Sequence, residues 1–456
     1  MKVDQQLQQI ISRIIAEYDT EPQAEAVSLL SVSAVLEKAR RAHKNLVKLT
    51  LKQREEIIQS VRSEMTTSAA LLLQGLLDLT RMGNLDDKLI NLDLIIRSTP
   101  ALDDLKATVN TGDDGLTLNE YSPYGVIASV VPINNLVEVM VCQTIGMIAA
   151  GNAVVFTVSE CVYKAAQSVV STLNGAITRL GGPEHLLTVL TDVQAPELVA
   201  HPIVDMVVLT GQVNHELPVL LTKKTIITGQ AHAPVIVDET ANIEQAAKDI
   251  VAGASFDHNQ LFIAEKAIVA VDAVADFLLH HLRAAGTYVV TQPSMLQRLE
   301  SLLLESKDGH SAYKGRAASD ILYLLGIYDQ PDARVIVVET DNINHPFICN
   351  DMMAPILPLV RAKDIDSAIE LALEIEGGNK HTAIMHSKHI DHLTACARAL
   401  QVVLFVKNAP SFAGIGLKGE GFTSFTVAAL TGEGPISARH YSRSRRCVLS
   451  EGFLIK

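Results

Sequence analysis

No excess of cations runs through this chain of 456 residues: 38 lysines and arginines stand against 51 aspartates and glutamates, a formal net charge of −13. A field of that sign repels polyanions, and nucleic-acid binding is not expected. No apolar run approaches the roughly eighteen residues that cross a bilayer, and residues 1–4 lack the apolar core of a secretory signal. The expected location is cytoplasmic, or inside something cytoplasmic. The five cysteines, Cys142, Cys161, Cys349, Cys396 and Cys447, are few and widely spaced, without the separations of zinc or redox motifs, so they read as reduced thiols. His280, His281 and the histidines at 381 and 386 lack carboxylates or cysteines at ligand spacing, and no metal site is expected. No internal repeat or low-complexity tract is visible.

What is present begins with length, since 456 residues exceed a single hydrophobic core and imply two or three domains. Val3, Leu7, Ile10, Ile11, Ile14 and Ile15 make one apolar face of a helix over residues 1–17, followed by a polar, proline-containing linker over 18–27. Such a tethered helix needs a partner surface, which could be another protein or its own domain or oligomer. From Ser33 to about Asp104 the pattern stays helical, with Val35, Leu36, Ala39, Ile57, Ile58, Val61 and Met65 on the 3.6 period. Short β-branched strands at 126–131, 153–156, 187–190, 206–209 and 225–227 then alternate with helical segments. A second set lies at 267–270, 335–338, 356–359, 383–385 and 403–406. Alternation of this kind predicts an α/β fold with parallel sheets and ligands at the carboxyl ends of the strands.

One stretch lacks what its surroundings suggest. Residues 253–266, Gly-Ala-Ser-Phe-Asp-His-Asn-Gln-Leu-Phe-Ile-Ala-Glu-Lys, contain no cysteine. With Ser122-Pro-Tyr-Gly-Val126, Ala149-Ala-Gly-Asn152, Val237-Asp-Glu-Thr-Ala241, Phe405-Val-Lys-Asn408, Gly419-Glu-Gly-Phe422 and Thr431-Gly-Glu-Gly434, this stretch resembles the aldehyde dehydrogenase superfamily from about Ser28 to Lys456. It is most similar to the CoA-acylating branch that serves ethanolamine and propanediol breakdown in bacterial microcompartments. There the loop carries the catalytic cysteine where Phe262 stands, and phenylalanine cannot attack an aldehyde.

The resemblance implies an aldehyde dehydrogenase fold. A Rossmann-like cofactor domain would occupy 28–106 and 122–238, and an α/β catalytic domain 239–425. Bridging strands at 107–121 and 426–456 would carry oligomer contacts. Residues 1–17 would be an encapsulation peptide for shell or cargo proteins. The implied reaction joins a short aliphatic aldehyde to coenzyme A with reduction of NAD. The absence of an acid in 229–234 fits CoA, and not water, as acceptor; a silent site would show the same absence. Asn135 matches the oxyanion donor. Pro132, Thr157, Ser159, Thr210, Gly211, Gln212, Gly229 and Asp351 occupy the cofactor positions. Gln212 stands for a glycine that lets backbone approach the pyrophosphate, and Asp351 for a glutamate that holds the nicotinamide ribose. Cys349 is the one thiol placed to replace the missing nucleophile, and a small buried apolar side chain is its other reading. His232 stands as a substitute base or a turn histidine. Arg439, Arg443, Arg445 and Arg446 are either CoA-phosphate partners or paired surface residues. Two functions remain open: an acylating dehydrogenase, or a catalytically silent homologue acting as structural partner or nucleotide-binding subunit in a homo-oligomer or mixed oligomer.

Overall fold

The structure, a computed structural model, describes residues 31–211, 223–304 and 313–451. The expected helix over 1–17, the linker over 18–27 and Gln212 lie outside the described residues. Three helices open the described chain: α1 (Val32–Leu46), α2 (Leu51–Thr80) and α3 (Leu85–Ser98). Their starts are written in short polar caps. The Ser31 hydroxyl accepts from the Ala34 amide, Thr50 and Gln53 form a capping box, and Asn84 accepts from the Asp87 amide.

The chain then enters a ribbon of β1 (Thr108–Gly112) and β2 (Gly115–Pro123). A parallel five-stranded sheet follows, from β3 (Val126–Val130), β4 (Ala153–Val158), β5 (Leu187–Thr191), β6 (Val204–Leu209) and β7 (Lys224–Ile227), in the order β5-β4-β3-β6-β7. Helix α4 (Leu136–Ala149) connects β3 to β4 and is buried on every side, whereas α5 (Tyr163–Arg179), between β4 and β5, buries one stripe. Strand order reverses between β3 and β6, which opens a crevice at their carboxyl ends.

A second parallel sheet has seven strands: β8 (Ala233–Val237), β9 (Glu265–Val271), β10 (Thr287–Val290), β11 (Val335–Glu339), β12 (Ile356–Ala362), β13 (Thr382–His386) and β14 (Leu404–Lys407), in the order β10-β11-β12-β9-β8-β13-β14. Helices α6 (Ile243–Ser255), α7 (Asp272–Ala284), α8 (Ile365–Glu376) and α9 (Ile390–Leu400) are among its connections. The expected boundary at 238 is corrected here. Strand β8 pairs with β9 and β13 and has no place in the first sheet, so the division falls before Ala233. The physical reason is local. Ala233–Val237 is buried along its whole length and needs a neighbour on each edge and a cover on each face.

Two strands follow, β15 (Val427–Ala428) and β16 (Gly434–Pro435), and then β17 (Ser442–Ser450) returns to β2 antiparallel, Ser442 opposite Pro123 and Ser450 opposite Gly115. The ribbon therefore runs on to Pro123, two residues past the expected end at 121. Beyond Ser442, β17 is exposed residue by residue. No described helix is long and apolar enough to cross a membrane.

Candidate functional site

The carboxyl ends of the five-stranded sheet meet the amino ends of the seven-stranded one. Residues 131–135 follow β3, Thr210 and Gly211 follow β6, and 228–232 join β7 to β8. From the other side come residues 256–264 leading into β9, 350–353 into β12, and Lys380 with His381 into β13. One hydrogen bond ties the two sides across the junction, and two more tie the segments of the second side to one another. Asn134 Nδ2 donates to the Gln260 carbonyl at 2.7 Å, Gln260 Nε2 to the Met353 carbonyl at 2.6 Å, and Lys266 Nζ to Asp351 Oδ1 at 2.8 Å.

Phe262 sits in the last part of the 256–264 loop, half-buried and packed against the main core. Its ring meets the His381 imidazole edge-on, centroids 5.5 Å apart. His381 is buried, and the loss of solvent holds its pKa down at about 4, so the ring is neutral at physiological pH. Its Nδ1 lies 2.8 Å from Thr382 Oγ1.

The loop is built to a fixed shape. Asp257, His258 and Asn259 have φ of 47°, 50° and 65°, three consecutive left-handed residues without a glycine. Side chains of this type tolerate that region best, though each placement still costs energy. Asn259 Nδ2 donates to the Ala254 and Glu265 carbonyls, both at 3.0 Å, and Asn259 Oδ1 accepts from Lys266 Nζ at 2.6 Å. Glu265 is wholly buried, its carboxylate accepting from the Ser411 amide and hydroxyl at 2.8 Å each, and burial raises its pKa to about 7. Gly253 is required beneath it, because an added Cβ would come within 2.1 Å of Glu265 Oε1.

The sequence-predicted residues are only partly united. Asn135 is fully buried next to the loop, but its amide is engaged: Nδ2 lies 3.4 Å from Asp257 Oδ2, and Oδ1 accepts from Asn134 Nδ2 at 3.2 Å. Asp351 Oδ1 receives both Lys266 Nζ and the Met353 amide, at 2.8 and 2.9 Å. His232 is buried nearby, and desolvation lowers its pKa against the pull of Asp351. At the nicotinamide end, the Asp351 carboxylate is turned through Oδ1 toward Lys266. At the adenine end, Thr157, at the carboxyl end of β4, is buried with no partner for its Oγ1 among the described residues, and Ser159 follows it half-buried. Thr210 Oγ1 accepts from Gln143 at 3.0 Å, while the Gly211 amide, which a phosphate would need, donates to Thr228 Oγ1 at 3.0 Å. Gly211 has φ +90° and packs on Pro132; Gly229 has φ +80° and packs on Leu430.

Cys349 is exposed, its Sγ 3.8 Å from the Ile343 carbonyl, which corrects the reading of a buried apolar residue. Cys142 and Cys396 are the buried cysteines, and desolvation raises both thiols, Cys396 to about 12. The arginine group lies on the ribbon and its approach. Arg439 pairs with Asp104 at 3.6 Å, Arg443 stacks over Tyr124 at 4.6 Å, and Arg446 donates to Asn119 at 3.0 Å. These three read as paired surface residues, and Arg445 stands exposed on β17 opposite Glu120. One cluster was not anticipated: Asp238, Glu239 and His392 come within metal-ligand reach of one another. Asp238 already accepts from Ser387, Thr240 and His392, which makes it a structural tie. Sequence reasoning also missed Lys88, Asn134, Glu138 and Asp257. The available signal was a lysine on the apolar stripe that α3 shares with Leu92 and Ile95.

Comparison with known proteins agrees with this architecture. Residues 16–298 match the model of the aldehyde dehydrogenase family. The CoA-propanoylating propanal dehydrogenase of Salmonella typhimurium is 37% identical over 97% of this chain and 96% of its own. Among solved structures, the propionaldehyde dehydrogenase of Rhodopseudomonas palustris, with bound CoA and an acylated cysteine, superposes with a TM-score of 0.90. It is 40% identical and covers 94% of this chain and 99% of its own. The propionaldehyde dehydrogenase from the fucose utilisation microcompartment of Clostridium phytofermentans gives 0.90 at 36% identity, over 94% and 100%. Fold, core and sequence together establish that this chain belongs to the aldehyde dehydrogenase family, among homologues that are CoA-acylating aldehyde dehydrogenases.

Proposed function

We propose that this chain is a member of the CoA-acylating aldehyde dehydrogenases that keeps their scaffold without oxidising aldehydes. It serves as a structural or ligand-binding subunit beside a cysteine-bearing homologue in a bacterial microcompartment. The observation that carries the reading is Phe262. The loop around it is fully tethered through Asn259, Glu265 and Lys266, and an aromatic ring stands in it where the resemblance calls for a thiol. A thioester needs a sulfur nucleophile, and a phenyl ring has none. Asn135 and Asp351, matched to the oxyanion and ribose contacts, are engaged with protein partners. Chemistry that has lost its nucleophile can leave a binding surface in use.

A second reading is a relocated nucleophile, favoured by Cys349, which is exposed two residues before Asp351 on a segment bonded to the loop. The deciding experiment is NADH formation by the full chain with propionaldehyde or acetaldehyde, NAD and CoA, beside Phe262→Cys and Cys349→Ala. The native chain is expected to be silent. Turnover by the native chain would overturn the proposal, and its loss in Cys349→Ala would establish the second reading. Turnover gained only in Phe262→Cys would show that the scaffold still holds a usable site.

A further inference from the structure

Beneath the loop lies a group of polar side chains that solvent does not reach. Lys88, on α3, is wholly buried. Its ammonium donates to Asp257 Oδ2 and to the Asn134 carbonyl, each at 2.8 Å, and lies 3.5 Å from Glu138 Oε1. Glu138, on α4, is also wholly buried, and neither carboxylate oxygen has a hydrogen-bond partner among the described residues. Asp257 is held from two more directions. Its Oδ1 accepts from the Asn84 amide at 2.9 Å, and its own amide donates to Asp87 Oδ2 at 2.9 Å. Gly83, with φ +95°, allows this approach, since a Cβ there would come within 2.1 Å of Asp257 Oδ1.

Burying an ammonium and two carboxylates costs several kcal/mol per ion, and apolar side chains of the same volume often stabilise a core better. The ammonium does something that an apolar side chain cannot: it joins three segments at one point. Asn134 is followed by Asn135 and itself bonds to Gln260, while Asp257 begins the run of left-handed residues that leads to Phe262. Backbone in that region persists only where its surroundings over-determine it.

We infer that Lys88 is a positioning residue, whose buried ammonium sets the register between the 134–135 turn and the 257–262 loop and so fixes where residue 262 stands. It touches no substrate; it acts through Asp257 and Asn134. Activity is not needed to see this, so the test is independent of whether the chain turns over aldehydes.

Hydrogen–deuterium exchange of the full chain tests it, comparing the native protein with Lys88→Met and with Asp257→Asn. The second variant is nearly isosteric and keeps Lys88 beside Glu138, so it serves where Lys88→Met fails to fold. Amides in 256–263 and 133–136 are expected to exchange roughly ten-fold faster or more in either variant, while those of β12 and β13 keep native rates. A uniform acceleration across the chain would reduce Lys88 to an ordinary contributor to global stability, and unchanged exchange in the loop would remove the role altogether. Either result overturns the inference.

Discussion

His381 and Asp257 flank the candidate site with opposite responses to pH. The His381 pKa, held at about 4 by burial, lies below that of an unfolded histidine. Its contribution to stability is therefore complete above about pH 6.5 and is lost as pH falls through 4, because the unfolded chain takes up the proton first. Asp257 runs the other way. Burial, assisted by Glu138 and opposed by Lys88, raises its pKa to about 7, so the folded state binds a proton that the unfolded chain releases. Its contribution is complete below about pH 4 and is lost as pH rises to 7. Two predictions follow from those signs. In urea titrations, His381→Gln should lose less stability than the native chain between pH 6.5 and 4.5, by on the order of 1–2 kcal/mol. His386, also held at about 4 by burial, leaves part of the acid sensitivity in place. Asp257→Asn should flatten the decline between pH 5 and 7. Parallel curves for variant and native protein would show that these groups do not titrate as their surroundings dictate.

At the scale of elements, the close approach of α6 to β9 depends on a single hydrogen atom. Gly253 faces the Glu265 carboxylate, which cannot swing aside without leaving both bonds to Ser411. Gly253→Ala should therefore destabilise the chain by about 1–3 kcal/mol, read as a shift in the denaturant midpoint with an unchanged slope. A midpoint within error of the native one would mean that the helix moves freely. Elements of this kind were largely legible in the sequence. All ten strands expected from β-branched runs form, because fully buried parallel strands must be apolar on both faces. Two strands of the parallel sheets, β8 and β10, were not among those expected. Helices α2 and α3 follow the stripes of Ile57, Ile58, Val61, Leu92 and Ile95. The loop was legible as a pattern, and the absence of its thiol could be read directly. Its supports could not. Lys88, Asn134 and Asp257 are brought together from positions far apart in the chain, and the place of Lys88 on the apolar stripe of α3 does not say which residues beyond that helix meet it.

For the whole molecule, the helical layer and the first sheet share one core that includes α2, α4 and the aromatic residues Phe256, Phe412 and Phe425, while the strands of the second sheet pack into separate cores on its two faces. The apolar face read over residues 1–17 lies outside the described residues. Deleting 1–17 is expected to leave the melting temperature unchanged while abolishing co-purification with microcompartment shell proteins. A lowered melting temperature would instead mean that the segment folds back on its own chain. The ribbon imposes a constraint of another kind. Strands β1 and β2 are complete long before β17 exists, yet β2 waits for Ser442 to reach Pro123 and for Ser450 to reach Gly115. Asn152 likewise bonds to the Tyr441 carbonyl across most of the chain. During synthesis, β2 must therefore leave the ribosome with one edge unpaired and remain so until nearly all of the polypeptide has followed, a long interval in which a neighbouring nascent chain could pair with it instead.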